Sequence, residues 1–437
     1  MANDIKYRDV FKERNYTVLL FTNLINRFGD SIDAIAFTWL VYSITGSASW
    51  AALVFGLNVL PNIVAQPFFG ALVEKMDKKK VIIFTHLLRA AVIGSFVVMY
   101  LNGVVNPYIM AAFTLVITTI ESLNMPASSA LIPSIIKKEH MSHAMSLNSS
   151  LSGAVALVGT GVAGIIIAKF GVQTAMLIDV ATFLMAAVGM FFIKLRRETD
   201  EKTDSSEKTD IKTEKASKES YGSLLKGGLR YIAGNRVILN YCLVAIVLNF
   251  FMVPINALQA PLAEDVYGLG SKFLSVFGMA ASIGAIFGSL VIPKLMAKFS
   301  SRKILIWCGF AMGIFLYVLS LGRLVHGMAV PGYLLGGLSV VGITFACSII
   351  SGTLNIRFVN SVDRDYLARA SSVLGASATA AMPIGSFIVS ASATKLSTEF
   401  LVGMSGILAV VLFIVIALSK MNFDMDKEET EELADAA

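Results

Sequence analysis

The sequence predicts an all-α membrane protein, with twelve transmembrane helices in two pseudo-symmetric six-helix bundles, and three observations carry that expectation. Of its 437 residues 56 % are apolar and only 15 % charged, too little polar surface to cover a water-soluble core of this size. The apolar residues fall in runs of about 20 or more, the length an α-helix needs to cross ~30 Å of hydrocarbon. A helix satisfies its own backbone donors and acceptors there, which an open strand does not. Finally, the runs form two sets of six whose punctuation repeats.

In chain order the first set covers 16–43, 50–74, 80–102, 106–132, 144–168 and 172–194. The second covers 237–262, 272–296, 303–323, 329–355, 370–394 and 399–419. Charged residues or Gly/Pro/Asn clusters bound each run. These limits divide the chain into an N-terminal bundle (1–195), a cytoplasmic linker (196–235), a C-terminal bundle (236–420) and an acidic tail (421–437). The linker's first part, Arg196 to Ser220, is rich in Lys, Glu, Asp, Ser and Thr and has too little apolar content to fold alone.

The repeat shows in the loops. Glu139-His140-Met141-Ser142-His143-Ala144 lines up with Asp365-Tyr366-Leu367-Ala368-Arg369-Ala370, and Val158-Gly159 then falls on Ile384-Gly385 without a gap. At nearly the same offset Lys75-Met76-Asp77-Lys78-Lys79-Lys80-Val81 falls on Lys298-Phe299-Ser300-Ser301-Arg302-Lys303-Ile304. Basic residues gather in alternate loops, including Lys75, Lys78 to Lys80, Lys137, Lys138 and Lys294 to Lys303. By the positive-inside bias those loops are cytoplasmic, so a multi-pass protein of the cell membrane with both termini cytoplasmic is expected. The polar segment Met1 to Tyr16, followed by a long first run, argues against a cleaved signal peptide.

The net charge of +6 belongs to the membrane's inner face, and no separate basic-aromatic module points to nucleic acid. Cys242, Cys308 and Cys347 stand singly in apolar runs and read as packing residues. With His86, His140, His143 and His326 they compose no ligand set, so neither metal nor cofactor is expected. The absence of a G-x-x-x-x-G-K-[ST] loop excludes ATP drive by this chain, and no enzymatic chemistry is expected.

Several motifs resemble those of a known family. They are Arg27-Phe28-Gly29-Asp30-Ser31-Ile32 in the first run, Trp39-Leu40-Val41-Tyr42 and Thr45-Gly46-Ser47 after it, and Gly70-Ala71-Leu72-Val73-Glu74-Lys75-Met76-Asp77-Lys78-Lys79-Lys80 after the second. The last is similar to G-x-L-x-D-R-x-G-R-R of the major facilitator superfamily, with Glu74 and Lys75 for the D-R pair. Within it the chain resembles the drug-antiporter group that includes macrolide-efflux proteins. Gly159-Thr160-Gly161-Val162-Ala163-Gly164 keeps the glycines of that group's antiporter motif, with Thr160 in place of proline.

The resemblance implies a proton-coupled exporter, an antiporter of a hydrophobic or amphiphilic small molecule such as a drug or macrolide. Its partners would be that substrate, protons and membrane lipid, with the chain a monomer. Alternatives are export of an endogenous lipid or siderophore, and a non-transporting membrane receptor or scaffold that holds a partner through the linker. The family loop implies a cytoplasmic gate, for which Glu74, Lys75, Asp77 and Arg89 are the candidates, Arg89 lying ~12 Å in from the cytoplasmic end.

Charges within spans cost about 2.5–3.5 kcal/mol each, so each asks for a partner or a purpose. Arg27, Asp30 and Asp33 are spaced i, i+3, i+6 and share one stripe of the first helix with Asn23 and Asn26. Asp30 lies ~21 Å along that helix, and Glu121 reaches the same depth in the fourth run. Acids from two helices at one depth suit a proton site, so Asp30, Asp33 and Glu121 are the coupling candidates and Arg27 their charge partner. Asp179 sits nearer the outside and reads as structural. The seventh run is polar but uncharged; Asn249, Phe250 and Asn256, with Asn26 and Phe277, are the candidates for a substrate pocket.

Overall fold

The computed structural model describes residues 11–421 apart from 12, 75, 133–134, 137–139, 194–229, 232, 363 and 420. The Arg196–Ser220 segment and the acidic tail after Met421 lie outside the described residues. Within them the chain is helical and has no strand.

The first half comprises α1 (Arg14–Thr45), α2 (Ala48–Val64), α3 (Gln66–Glu74), α4 (Lys78–Leu101), α5 (Pro107–Leu131), α6 (Met141–Phe170) and α7 (Val172–Phe191). The second comprises α8 (Arg236–Ala257), α9 (Gly270–Lys298), α10 (Ser301–Ser320), α11 (Ala329–Ser361), α12 (Arg364–Ser392) and α13 (Thr398–Leu418). Among the described residues ten helices are long and apolar enough to cross a membrane. Adding the charged α1 and the interrupted pair α2 and α3, which together fill the second run, fits the twelve expected spans.

Local chemistry sets the helix ends. Asn106 caps α5 by accepting from Ile109 N at 2.9 Å, with Pro107 at the first helical position, where a missing N–H costs nothing. Asp77 caps α4 through Lys80 N, Asn235 caps α8 through Val237 N and Ile238 N, and Ser397 caps α13. Gly46 ends α1 in the left-handed region at φ 57°, a conformation that costs glycine nothing.

Each half packs by the same scheme. In the first, α1 lies on α6 and α7, α4 on α5 and α7, and α3 on α5. In the second, α8 lies on α12 and α13, α10 on α11 and α13, and α9 on α11. A clasp is duplicated too. Lys79 Nζ donates to the carbonyls of Phe191 (3.0 Å) and Ile193 (2.7 Å) at the C-terminal end of α7. Arg302 donates to those of Ile416 (3.3 Å), Ala417 (3.1 Å) and Ser419 at the C-terminal end of α13. Lys79–Ile193 and Arg302–Ile416 both join residues 114 apart. Each cation satisfies carbonyls that the helix leaves unpaired and sits at the negative end of its dipole.

The chain divides into two compact units, one of Met1–Gly46 with Leu57–Lys218, the other of Ser47–Gly56 with Glu219–Ala437. The first turns of α2 therefore belong with the second half. There Ser390 Oγ donates to Ser49 O at 2.8 Å, Ser386 Oγ donates to Ala52 O, and Ala52 packs with Val253, Ala257, Leu258 and Val389. Within the second unit Gly284 and Gly288 let α9 lie close on α11: a Cβ on Gly288 would stand 2.6 Å from Phe345 O.

Candidate functional site

Four helices of the first unit bring ionisable side chains together. From α1, Asn26 Nδ2 donates to Asp30 Oδ2 at 2.8 Å, an i to i+4 contact on the expected polar stripe. From α4, Arg89 Nη2 donates to Asp30 Oδ1 at 3.1 Å; the Arg89 side chain is 9 % exposed and that of Asp30 25 %. The guanidinium also lies 4.1 Å from the ring centre of Phe183 on α7, where the ring's electron-rich face attracts the cation. His86, one turn before Arg89, stands over the same ring with centroids 5.8 Å apart.

One turn before Phe183, Asp179 is wholly buried. Its Oδ1 accepts from Thr182 Oγ1 at 3.3 Å. Gly29 of α1 makes this burial possible, since a Cβ there would stand 2.5 Å from Asp179 Oδ1 and 2.9 Å from Thr182 Cβ. Asp33 and Asp179 lie within electrostatic reach of each other, and of Asp30 and Arg89. Glu121, from α5, is within reach of Arg89, Asp30 and Arg27. Four carboxyl groups thus surround one buried guanidinium. Several buried polar atoms have no hydrogen-bond partner among the described residues: Asp33 Oδ1, Asp179 Oδ2, Arg89 Nε, His86 Nδ1 and Asn26 Oδ1. Leaving such groups unmet is costly, so the cluster is suited to exchange of protons or polar ligands.

The expected site residues are redistributed. Asp30, Asp33 and Glu121 come together as expected. Arg27, expected as the charge partner of the acids, is exposed and lies within electrostatic reach of Glu121, while the ion pair of Asp30 is made by Arg89. Arg89 was expected at a cytoplasmic gate; its long side chain carries the guanidinium from α4 to the α1 stripe. Asp179, expected nearer the outside as a structural residue, is enclosed where α7 closes against Gly29 and meets the charged cluster. Sequence reasoning also missed His86; the signal for both was polarity inside an apolar run. Of the gate candidates, Asp77 is exposed, caps α4 and pairs with Lys80 at 3.9 Å, while Lys75 and the Glu74 side chain lie outside the described residues.

The substrate-pocket candidates also separate. Asn249 lines a cavity of about 350 Å³ in the second unit, together with Tyr241, Cys347, Ser351, Asn355 and Phe358 among others. Cys347 therefore faces an opening, whereas Cys242 is buried as a packing residue. Phe277 is buried, 6.5 Å between ring centres from Phe273. Phe250 packs on Gly385 of α12, Asn256 is half-buried and does not line the cavity, and Asn26 belongs to the acidic cluster.

The family model for the Major Facilitator Superfamily matches residues 19–364. Macrolide efflux protein A of Streptococcus pyogenes is 24 % identical over 373 residues, covering 85 % of this chain and 87 % of that protein. Multidrug efflux pump Tap of Mycolicibacterium fortuitum is 24 % identical over 399 residues, covering 88 % and 91 %. Among solved structures, a mutant of the nucleoside transporter NupG superposes with a TM-score of 0.69 at 10 % identity, over 92 % of this chain and 99 % of that one. That likeness concerns the fold.

Proposed function

Because the chain belongs to the major facilitator superfamily, a family of multi-pass membrane transporters, we propose that it is a proton-coupled antiporter exporting a hydrophobic or amphiphilic small molecule. The observation that carries the coupling is the cluster of Asp30, Asp33, Glu121 and Asp179 around Arg89. Were every acid ionised, carboxylates would outnumber the buried guanidinium in a low-dielectric interior, at several kcal/mol per uncompensated charge. Taking up protons discharges the cluster at the least cost. A conformation that admits protons from one side and releases them to the other then couples their flow to movement of a substrate. A bias of only ~1.4 kcal/mol between the two conformations shifts their populations tenfold.

Outward direction and the drug-like substrate class rest on the relatives named for macrolide and multidrug efflux. The Lys79 clasp, with the Asp77 cap beside it, supports the basic loop as part of the cytoplasmic gate. The basic residues gathered in alternate loops support a cytoplasmic location for both termini.

The test is flux in proteoliposomes. With an imposed pH gradient, a radiolabelled macrolide should move against the proton flow, and Asp30→Asn, Asp33→Asn and Glu121→Gln should each weaken gradient-driven movement. Flux indifferent to the gradient, with all three variants transporting normally, rules out proton coupling; flux that follows a sodium gradient instead assigns a different ion.

A further inference from the structure

The cavity in the second unit is built by three helices that each turn one face inward. From α8 come Tyr241, Ala245, Leu248, Asn249 and Met252; from α11 come Cys347, Ser351, Leu354, Asn355, Phe358 and Val359; from α12 come Ser371, Leu374, Gly375 and Ala378. The residues recur at i, i+4, i+7, i+8 and i+11 on α8 and α11, with i+12 as well on α11, and at i, i+3, i+4 and i+7 on α12, the signature of a single helical face. The space exists because small residues stand where large ones would fill it. A Cβ added to Gly375 meets nothing within 4 Å.

The lining has a definite chemistry. None of the described residues that line it is Asp, Glu, Lys, Arg or His, so among them an ion loses hydration and meets no counter-charge. Hydrogen-bonding groups are nonetheless present in Asn249, Asn355, Ser351 and Ser371. One amide hydrogen of Asn249 is taken by Ala245 O at 2.9 Å, which leaves its carbonyl oxygen to accept from a ligand. At roughly 20 Å³ per non-hydrogen atom at organic-crystal density, about 350 Å³ holds around 17 such atoms.

The geometry points to this cavity as a binding site for an uncharged amphiphile of that size, or for an uncharged moiety of a larger one, and as the subsite that recognises the exported molecule. The substrate assignment rests on the transport reading above; the binding site does not. Charge handling and substrate recognition are then divided, with the titratable groups in the first unit and a neutral, hydrogen-bonding cavity in the second.

Cys347 supplies the reporter. The full chain carrying Cys242→Ala and Cys308→Ala is purified in nanodiscs and labelled at Cys347 with N-ethylmaleimide, which is uncharged, or with a trimethylammonium methanethiosulfonate, which is a cation. Each rate is normalised to that of free cysteine. The uncharged reagent is expected to be favoured by about tenfold or more, and N-phenyl-1-naphthylamine, an uncharged amphiphile of the right size, should slow labelling several-fold. Gly375→Leu, which fills open space in a helix, should abolish that protection without lowering the unfolding temperature.

Equal normalised rates for the two reagents, or no protection by N-phenyl-1-naphthylamine, overturn the site. Equal protection by added phospholipid identifies an acyl chain as occupant and overturns the substrate assignment. Gradient-driven flux is read on the same preparations in proteoliposomes. Protection without gradient-driven flux sinks the transport reading and leaves the binding site; flux without protection does the reverse.

Discussion

Replacing Arg89 by methionine tests the electrostatic core of the first unit. Methionine keeps much of the unbranched apolar stem while removing the charge that faces Asp30 at 3.1 Å. Breaking a buried ion pair from one side costs about 3–5 kcal/mol, because the partner charge is stranded. Asp30 remains a quarter exposed, which places the expected loss near the lower end, ~3 kcal/mol. For a unit of roughly 200 residues each kcal/mol lowers the melting temperature by about 2–4 °C, so a fall on the order of 10 °C is expected. The assay is thermal unfolding of the purified protein in detergent, followed by loss of the monodisperse peak on size-exclusion chromatography. Adding Asp30→Asn to the Arg89→Met chain removes one stranded carboxylate and should restore at least half of the loss. An unchanged melting temperature for Arg89→Met, or a double variant no better than the single, refutes the pairing as an energetic centre.

Three further outcomes follow from the same geometry. Asp179→Asn, nearly isosteric, should fold with an unchanged melting temperature yet reduce pH-driven flux by about tenfold or more, the scale of one discharged coupling group; normal flux in vesicles would remove Asp179 from the coupling set. Gly29→Ala forces α1 away from Asp179 and Thr182 and should cost about 1–3 kcal/mol, the usual penalty of overpacking, read as a melting temperature lower by several degrees. Lys79→Met and Arg302→Met should each cost about 1 kcal/mol by leaving helix-end carbonyls without a donor, and hydrogen exchange should show fraying confined to the end of α7 in one and of α13 in the other.

Much of this fold is legible in the sequence because lipid imposes a strict length on each apolar run. The expected run 16–43 is found as Arg14–Thr45, and 172–194 as Val172–Phe191. The interruption at Ala65 is not legible as a break within one run, because Pro61 and Pro67 are each compatible with a continuing bent helix. The α1 stripe is equally clear, since three charges at helical spacing stand out against an apolar background. Its partners are not. Arg89 is 59 residues from Asp30 in the chain, and depth reckoned from helix rise alone ignores tilt and side-chain reach. Asp179 looked peripheral because depth along a helix says nothing of what closes over it. Only the meeting of Gly29 with α7 shows that this carboxyl is enclosed. The cavity beside Asn249 was visible merely as a polar run, for its emptiness depends on Gly375 of another helix.

The paired lysine and arginine clasps bear on how the polypeptide is assembled. Each tie joins segments more than a hundred residues apart, so the entropy of closing that loop is overcome only after the intervening spans have been threaded into the bilayer and packed. Within each half the clasp acts as a late fastening, engaged when the sixth span of that half arrives and independent of synthesis of the other. Coexpressed as two separate chains, the halves would each carry their own closure, while the first turns of α2 would still wait for their partners on the second half.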